Sequence, residues 1–280
     1  MPELPEVETI RRGLEAVIRG RKIVSAQLRR ADMRRRAQKD LAKRLAGRTF
    51  SAIDRRGKHL IFRFSDGGDV LLAHLGMSGR FLYFPKGTGG GSGPHDHLVM
   101  EFSGGGRVVF CDPRRFGFVE MAAEKDLSRH PALAKLGVEP LEDAFTPGVL
   151  AAVLEGVRAP VKAALLDQAR IAGLGNIYVC ESLFRAGVSP MRPAGSLKKA
   201  EIRKLHAAIR AVLMDAIAAG GSSLRDYVHA DGSVGAFQND FSVYGRAGLP
   251  CSRCHSSRGG VIARDIQSGR STFHCPRCQE

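Results

Sequence analysis

The sequence predicts an α+β protein of more than one domain: an N-terminal antiparallel β-sandwich with a leading helix, then a helical domain closed by a four-cysteine ribbon. Three observations carry this. Val7, Ile10, Leu14 and Val17 recur at helical spacing near the start. Short alternating runs separated by glycine turns occupy residues 23–120. Helical periodicity then returns and ends at two Cys-x-x-Cys pairs, Cys251-Ser-Arg-Cys254 and Cys275-Pro-Arg-Cys278. With 280 residues, 44% hydrophobic and 25% charged, the chain has the length for two domains and the composition for a packed core.

Taken in order, residues 6–18 read as an amphipathic helix, with Glu6 and Glu8 at the positive end of its dipole. Pro5 suits a first turn and pushes the residue before it toward extended geometry, so residues 1–4 are expected to project as an irregular arm. Leu60, Phe62 and Phe64 alternate with Ile61 and Arg63, and Ser-Asp-Gly-Gly then turns the chain into a strand over 70–75. Further strands are expected at 79–84, 98–102 and 107–111, which together indicate a sandwich or barrel. The glycine-rich stretch 85–94 reads as a flexible surface loop.

Pro131, Pro140 and Pro147 punctuate an expected linker over 131–147. Leu150, Val153, Leu154 and Val157 then form one helical face, and Ile202, Leu205, Ile209, Val212 and Leu213 another. Between them Ala172-Gly-Leu-Gly-Asn176 makes a tight turn into a helix over 177–185, a helix–two-turn–helix arrangement that points backbone N–H groups at a phosphate. The predicted organisation is a sandwich domain at 2–130, the linker, a helical domain at 148–244 and a ribbon at 245–280.

Forty-three Lys and Arg against 28 Asp and Glu leave a net charge of +15, with a sequence pI near 10.1. Arginines cluster at 34–36, 55–56 and 114–115. Such a field attracts polyanions, and its spread through folded-looking segments favours nucleic acid over an anionic membrane surface. No stretch reaches the ~18 apolar residues of a membrane span; the run at 207–219 is broken by Arg210 and Asp215. Glu3, Glu6 and Glu8 occupy the place where a secretory signal would need an apolar region, so a cytoplasmic protein is expected.

Each Cys-x-x-Cys can turn two thiolates toward one tetrahedral ion, so Cys251, Cys254, Cys275 and Cys278 are expected to hold one structural Zn2+. Reduced thiols or redox pairs are the alternative, and His255 and His274 the available substitute ligands. Four thiolates leave no position for a catalytic water. Cys111 and Cys180 read as buried free thiols. No organic cofactor is expected.

The opening Met1-Pro-Glu-Leu-Pro-Glu-Val-Glu-Thr9 resembles that of the formamidopyrimidine-DNA glycosylases, bacterial enzymes that excise oxidised purines. The resemblance continues through Lys58 in Arg-Arg-Gly-Lys-His, His74-Leu-Gly-Met-Ser-Gly79 and Asp112-Pro-Arg-Arg-Phe-Gly117. Gly173-Leu-Gly-Asn-Ile-Tyr178, Val243-Tyr-Gly-Arg246 and the cysteine pairs complete it in the family's order, over nearly the whole chain. His59 stands where the family commonly has tyrosine. Val157 replaces one of the basic residues often found ahead of Lys162.

The resemblance implies a bifunctional glycosylase and abasic-site lyase acting on damaged double-stranded DNA as a monomer. Once Met1 is removed, Pro2 is the nucleophile, and a terminal amine of pKa near ~8 is partly neutral at pH 7. Glu3 is the proton donor, Glu6 a supporting carboxylate, Lys58 a lysine of the reaction site, and Arg270 a participant in the second elimination. Met77, Arg114 and Phe116 fill the stack vacated by the flipped nucleotide; Asn176 and Arg158 bind phosphates, Lys162 reaches the lesion or its backbone, and His95 contacts DNA. Without the resemblance, Pro2 and Glu3 would read as a disordered terminus, Lys58 as a surface lysine, and Met77 and Phe116 as core. Two rivals remain: an endonuclease VIII-type enzyme for oxidised pyrimidines, and a zinc-ribbon DNA-binding protein without catalysis. Leu4 and the Arg114-Arg115-Phe116 block favour the purine reader over the first, and covalent trapping separates the second.

Overall fold

A computed structural model of the chain describes all residues except 36, 91–92 and 224–229, so Arg36 of the basic cluster and the centre of the glycine-rich loop lie outside the described residues. The chain divides into two compact units: Met1–Ala134 with Ala219–Ala236, and Lys135–Ala218 with Phe237–Glu280. No helix among the described residues is long and apolar enough to cross a membrane.

In the first unit, α1 (Leu4–Ile18) buries Val7, Ile10, Leu14 and Ile18 along one stripe. The arm expected at residues 1–4 does not project: Pro2 and Glu3 are buried and Leu4 is already helical. A residue before proline resists the helical region. Here full burial of Leu4, together with a bond from the Glu3 N–H to Glu6 Oε2 at 2.8 Å, outweighs that resistance.

The strands are β1 (Ile23–Leu28), β2 (Phe50–Arg56), β3 (His59–Phe64), β4 (Asp69–His74), β5 (Arg80–Phe84), β6 (Asp96–Phe102), β7 (Arg107–Cys111) and β8 (Phe118–Ala123). They form two four-stranded sheets, β1-β6-β7-β5 and β2-β3-β4-β8, antiparallel throughout. This is the predicted sandwich. Phe62 of one sheet lies 5.3 Å from Phe81 of the other, and Phe81 lies 4.9 Å from Phe110. Each such buried ring contributes about 1.5–3 kcal/mol. Helix α1 packs against β2 and β5. Helix α2 (Leu41–Leu45), between β1 and β2, went unforeseen because five residues are too few for a periodic signal.

Residues 219–236, placed by sequence in the helical domain, group with the sandwich. Tyr83 N–H donates to the Ala230 carbonyl at 2.6 Å, and Ser222 N–H to Glu6 Oε1 at 2.8 Å. Backbone groups that must be satisfied on burial decide this grouping, and they leave no periodic trace in a sequence.

The second unit contains α3 (Pro147–Leu154), α4 (Val161–Leu166), α5 (Asn176–Ala186), α6 (Lys199–Ala218), α7 (His255–Arg258) and the hairpin β9 (Ala263–Gln267)–β10 (Arg270–His274). Thr146 caps α3, its Oγ1 accepting the Val149 N–H at 3.2 Å. Val157 falls outside α3, since the helix stops at Leu154 and Gly156 turns with φ 68°. Much of the expected linker is packed into this unit. Gly137 N–H donates to the Gln168 carbonyl at 2.8 Å, and His206 Nε2–H to the Phe145 carbonyl at 2.6 Å.

His59, His74 and Phe118 are cross-strand neighbours on β3, β4 and β8, with adjacent ring centroids at 4.7 and 5.9 Å. Burial lowers His59 to about 4 and, with the charges of His59 and Lys58, lowers His74 to about 3. Both rings are therefore neutral in the folded state, whereas unfolded histidines take up protons below about pH 6.5. Protonation then favours the unfolded chain, so stability should fall as pH drops below about 6.5 and level off near the folded values. Thermal melts between about pH 7.5 and 4 should show this slope, and His59→Phe should flatten it. An unchanged slope in that variant would remove His59 from the account.

Candidate functional site

The first unit gathers the amino terminus and Lys58 through α1. Glu6 is 2% exposed, and each of its carboxylate oxygens accepts a backbone N–H, Oε2 from Glu3 and Oε1 from Ser222. The carboxylate expected only to support the site is thus the clamp on the turn that carries Pro2 and Glu3. Two residues further on, Glu8 binds Arg11 at 3.0 Å, Arg12 at 2.7 Å and Arg55 at 3.3 Å. Burial opposes ionisation of Glu8, but hydrogen bonds from Arg11 and Arg12 outweigh it and lower its pKa. Arg55 also donates to the Gly57 carbonyl at 3.0 Å, which fastens the β2–β3 turn to α1. Gly57 takes φ 56° in that turn, and Lys58 beside it is buried rather than on the surface.

Two exposed turns lie elsewhere on this unit. Met77 is 37% and Phe116 46% exposed, so neither serves the core, and the Arg114 guanidinium lies 4.8 Å over the Phe116 ring. Arg115 holds φ 58° between them. A non-glycine residue there costs on the order of 1–2 kcal/mol; the reversal places Arg114 and Phe116 in contact, and Arg115 pairs with Asp32 at 2.5 Å. His95 is exposed at the start of β6.

In the second unit the Sγ atoms of Cys251, Cys254, Cys275 and Cys278 lie within 4.8 Å of one another. Cys251 and Cys278 are 3.8 Å apart, and Cys254 and Cys275 3.5 Å. A tetrahedral ion with metal–sulfur bonds of about 2.3 Å sets its sulfurs about 3.8 Å apart. A side chain on Gly260 would press into Cys254 Sγ. Burial, reinforced by neighbouring thiols, raises the Cys254 pKa, so ionising all four sulfurs requires a cation. These residues could hold a metal ion. Neither candidate histidine joins them: His255 Nδ1 is 3.0 Å from the Gly260 carbonyl, and His274 Nε2 is 2.7 Å from Asp265.

From this cluster the β9–β10 hairpin extends to a turn at Ser268 (φ 49°) and Gly269 (φ 72°), which presents Arg270 exposed on its far side. Lys162 and Asn176 hold the hairpin from beneath. Lys162 Nζ donates to the Ser271 carbonyl at 3.0 Å and Thr272 Oγ1 at 2.7 Å, and Asn176 Nδ2 to the same carbonyl at 2.9 Å. Burial, opposed in part by Cys180 and aided by Arg270, lowers the Lys162 pKa. Lys162 is 1% exposed and braces Arg270's strand. Asn176 Oδ1 is buried without a hydrogen-bond partner among the described residues. Arg158 is exposed between α3 and α4.

Glu181 is a residue that sequence reasoning missed. Buried in α5, it accepts N–H groups from Ser242, Val243 and Tyr244 at 2.8–3.0 Å, and the Tyr244 ring meets Phe273 of the hairpin at 5.0 Å. Its signal was a carboxylate among apolar residues of one helix, in Tyr-Val-Cys-Glu-Ser-Leu-Phe.

Comparison with known proteins agrees with this geometry. Residues 1–119 match the family model for the formamidopyrimidine-DNA glycosylase N-terminal domain, and residues 136–228 that for the H2TH domain of the same enzymes. Formamidopyrimidine-DNA glycosylases of Cereibacter sphaeroides and Rhodospirillum rubrum are 54% and 53% identical, each pair aligned over 100% of both chains. Among solved structures, a Lactococcus lactis FPG mutant in complex with DNA containing Fapy-dG is similar at TM-score 0.89 and 38% identity, covering 100% of both chains. The Lactococcus lactis Fpg complex with abasic-site DNA is similar at TM-score 0.88 and 37% identity, covering 99% of each chain. The MutM (FPG) protein of Thermus thermophilus has TM-score 0.86 and 41% identity, over 99% of this chain and 98% of that one.

The sulfur cluster leads to one expected outcome. Cys254→Ser, or a strong chelator, should remove the bound metal and with it the hydrogen-exchange protection of the β9 and β10 amides, because a ribbon this small folds through ligation. Native mass spectrometry and amide exchange read the two effects together. Full protection in metal-free protein would show that the cysteines are not the support.

Proposed function

From the premise that the chain belongs to the formamidopyrimidine-DNA glycosylase family, we propose that it is a bifunctional glycosylase and abasic-site lyase that excises oxidised purines, 8-oxoguanine and formamidopyrimidines, from duplex DNA. The observation that carries this reading is the buried, clamped amino terminus. Pro2 and Glu3 lie where Glu6 ties down the backbone, a placement that a non-catalytic DNA-binding protein has no use for. The Leu4 and Arg114-Arg115-Phe116 signals favour purine over pyrimidine lesions.

With Met1 removed, the Pro2 nitrogen attacks C1′ of the damaged nucleotide, and the bond from C1′ to the base breaks. Glu3 supplies the proton transfer that this step needs. The Pro2 nitrogen then loses its proton and the C1′–O4′ bond opens, O4′ taking up a proton, to leave an iminium. This withdraws electrons from C2′, which loses a proton as the 3′-phosphate departs from C3′. A second elimination, with loss of the C4′ proton, releases the 5′-phosphate from C5′. Lys58 positions the reacting sugar. Arg270 stabilises the leaving phosphate: a guanidinium stays charged at any working pH and can fork across two oxygens, which favours electrostatics over proton donation.

The target base leaves the stack, at a cost of a few kcal/mol, offset by insertion of Met77, Arg114 and Phe116. Asn176 and Arg158 bind phosphates, His95 contacts DNA, and Lys162 braces the hairpin and reaches the lesion or its backbone. The ion we assign to the four cysteines is a structural zinc, whose contribution is to hold the ribbon. The protein works as a monomer in the bacterial cytoplasm, held to DNA largely through phosphates and so strongly salt-dependent.

Borohydride should link the protein to lesion-containing DNA at residue 2, located by peptide mass spectrometry; a crosslink at Lys58 would overturn the assignment. Glu3→Gln should slow base excision about 100-fold but cleavage at a preformed abasic site less than about tenfold, as only the first needs the extra proton transfer. Arg270→Ala should slow strand cleavage in low salt about 10- to 1000-fold, with partial rescue by Arg270→Lys, which keeps the charge but not the fork. A near-normal Arg270→Ala enzyme would make the residue one more basic surface group.

A further inference from the structure

The Met77 turn and the Arg114–Phe116 turn are separate in sequence yet are both bonded to the Asp112 carboxylate, which is fully buried. Its Oδ1 accepts the Ser78 hydroxyl at 2.6 Å and its Oδ2 the Gly117 N–H at 2.7 Å. Ser78 Oγ in turn accepts the Arg114 N–H at 3.1 Å. The Asp112 backbone is also taken up. Its N–H donates to the His95 carbonyl at 3.0 Å, and its carbonyl accepts the Arg115 N–H at 3.2 Å and the His97 Nε2–H at 2.7 Å.

The same two turns are in backbone contact. A Cβ on Gly76 would overlap the backbone of Phe116 and Gly117, and His74 Nδ1 accepts the Gly76 N–H at 2.9 Å. The hydrogen-bond partners of the Asp112 carboxylate are neutral. Burying a carboxylate against neutral donors is costly in desolvation, and what the arrangement secures is the register of two loops whose side chains point outward.

We propose that Asp112 is a positioning residue that holds Met77, Arg114 and Phe116 as one rigid insert for the vacated base stack. The inference rests on the stack-filling role given to those three side chains above. Exposed apolar side chains on free turns would lose rotamer and loop freedom on entering DNA, which weakens binding. Tied through one buried carboxylate, they have lost that freedom on folding. Asp112 touches no DNA in this scheme and acts only through the turns.

Asp112→Asn keeps the shape and an acceptor for the Gly117 N–H but leaves the Ser78 hydroxyl proton without its acceptor. Ser78→Ala removes the bridge to Arg114 and spares the carboxylate, so it serves if the first variant folds poorly. Each should lower single-turnover cleavage of a duplex lesion about tenfold while changing cleavage of a single-stranded abasic site less than about twofold. In a Phe116→Ala background the further loss from Asp112→Asn should shrink below about threefold, because two changes acting through one insert are not additive. Equal losses on both substrates, or full losses repeated in the Phe116→Ala background, would overturn the proposal and leave Asp112 a general support of the fold. Wild-type protein unable to cleave the duplex lesion would instead overturn the functional reading beneath it.

Discussion

A buried carboxylate at Glu6 receives the Glu3 N–H on one oxygen and the Ser222 N–H on the other, each at 2.8 Å. The first residues of a chain are ordinarily its least ordered, and an amine on such a tether samples many positions for each reactive one. Glu6 removes that freedom by satisfying a donor that the start of α1 would otherwise leave orphaned. This side chain ties down the backbone beside Pro2 and Glu3, and together with the Tyr83–Ala230 bond it joins residues 219–236 to the sandwich. That joining also explains why the first unit is discontinuous in sequence.

Arg270 meets a comparable constraint by different means. A two-stranded hairpin is marginal by itself in water, and one that presents an arginine at its turn has little apolar surface with which to hold its position. The four-sulfur cluster fixes one end. Lys162 and Asn176, both bonded to the Ser271 carbonyl, and the Glu181–Tyr244–Phe273 chain fix the strand behind the arginine. Lys162 carries a desolvation penalty for this, visible in its lowered pKa. An apolar side chain there would avoid that penalty but would lose the bonds to Ser271 and Thr272.

Met77 and Phe116 belong to residue types that usually fill cores, and both stand in solvent on turns whose backbone is over-determined. Gly76 and Gly117 allow the two turns to approach within backbone contact, and the left-handed Arg115 sets Arg114 against the Phe116 ring.

Much of this was legible in the amino-acid sequence, because it depends on periodicity and on spacing. The stripe of α1, the short runs of β3 and β4 joined by a glycine turn, the apolar face of α6 and the paired Cys-x-x-Cys knuckles are local patterns, readable without knowledge of what they pack against. The family was legible too, through motifs in a fixed order. Long-range contacts decided the rest. Whether residues 1–4 project or are buried depends on Leu4 and Glu6 finding partners far along the chain, and residues 219–236 join the sandwich through bonds to Tyr83 and Glu6 that no window of sequence contains. The charge of Lys162 is visible in sequence while its burial is not. Only the fold, which must satisfy every donor and acceptor it removes from water, decided that burial.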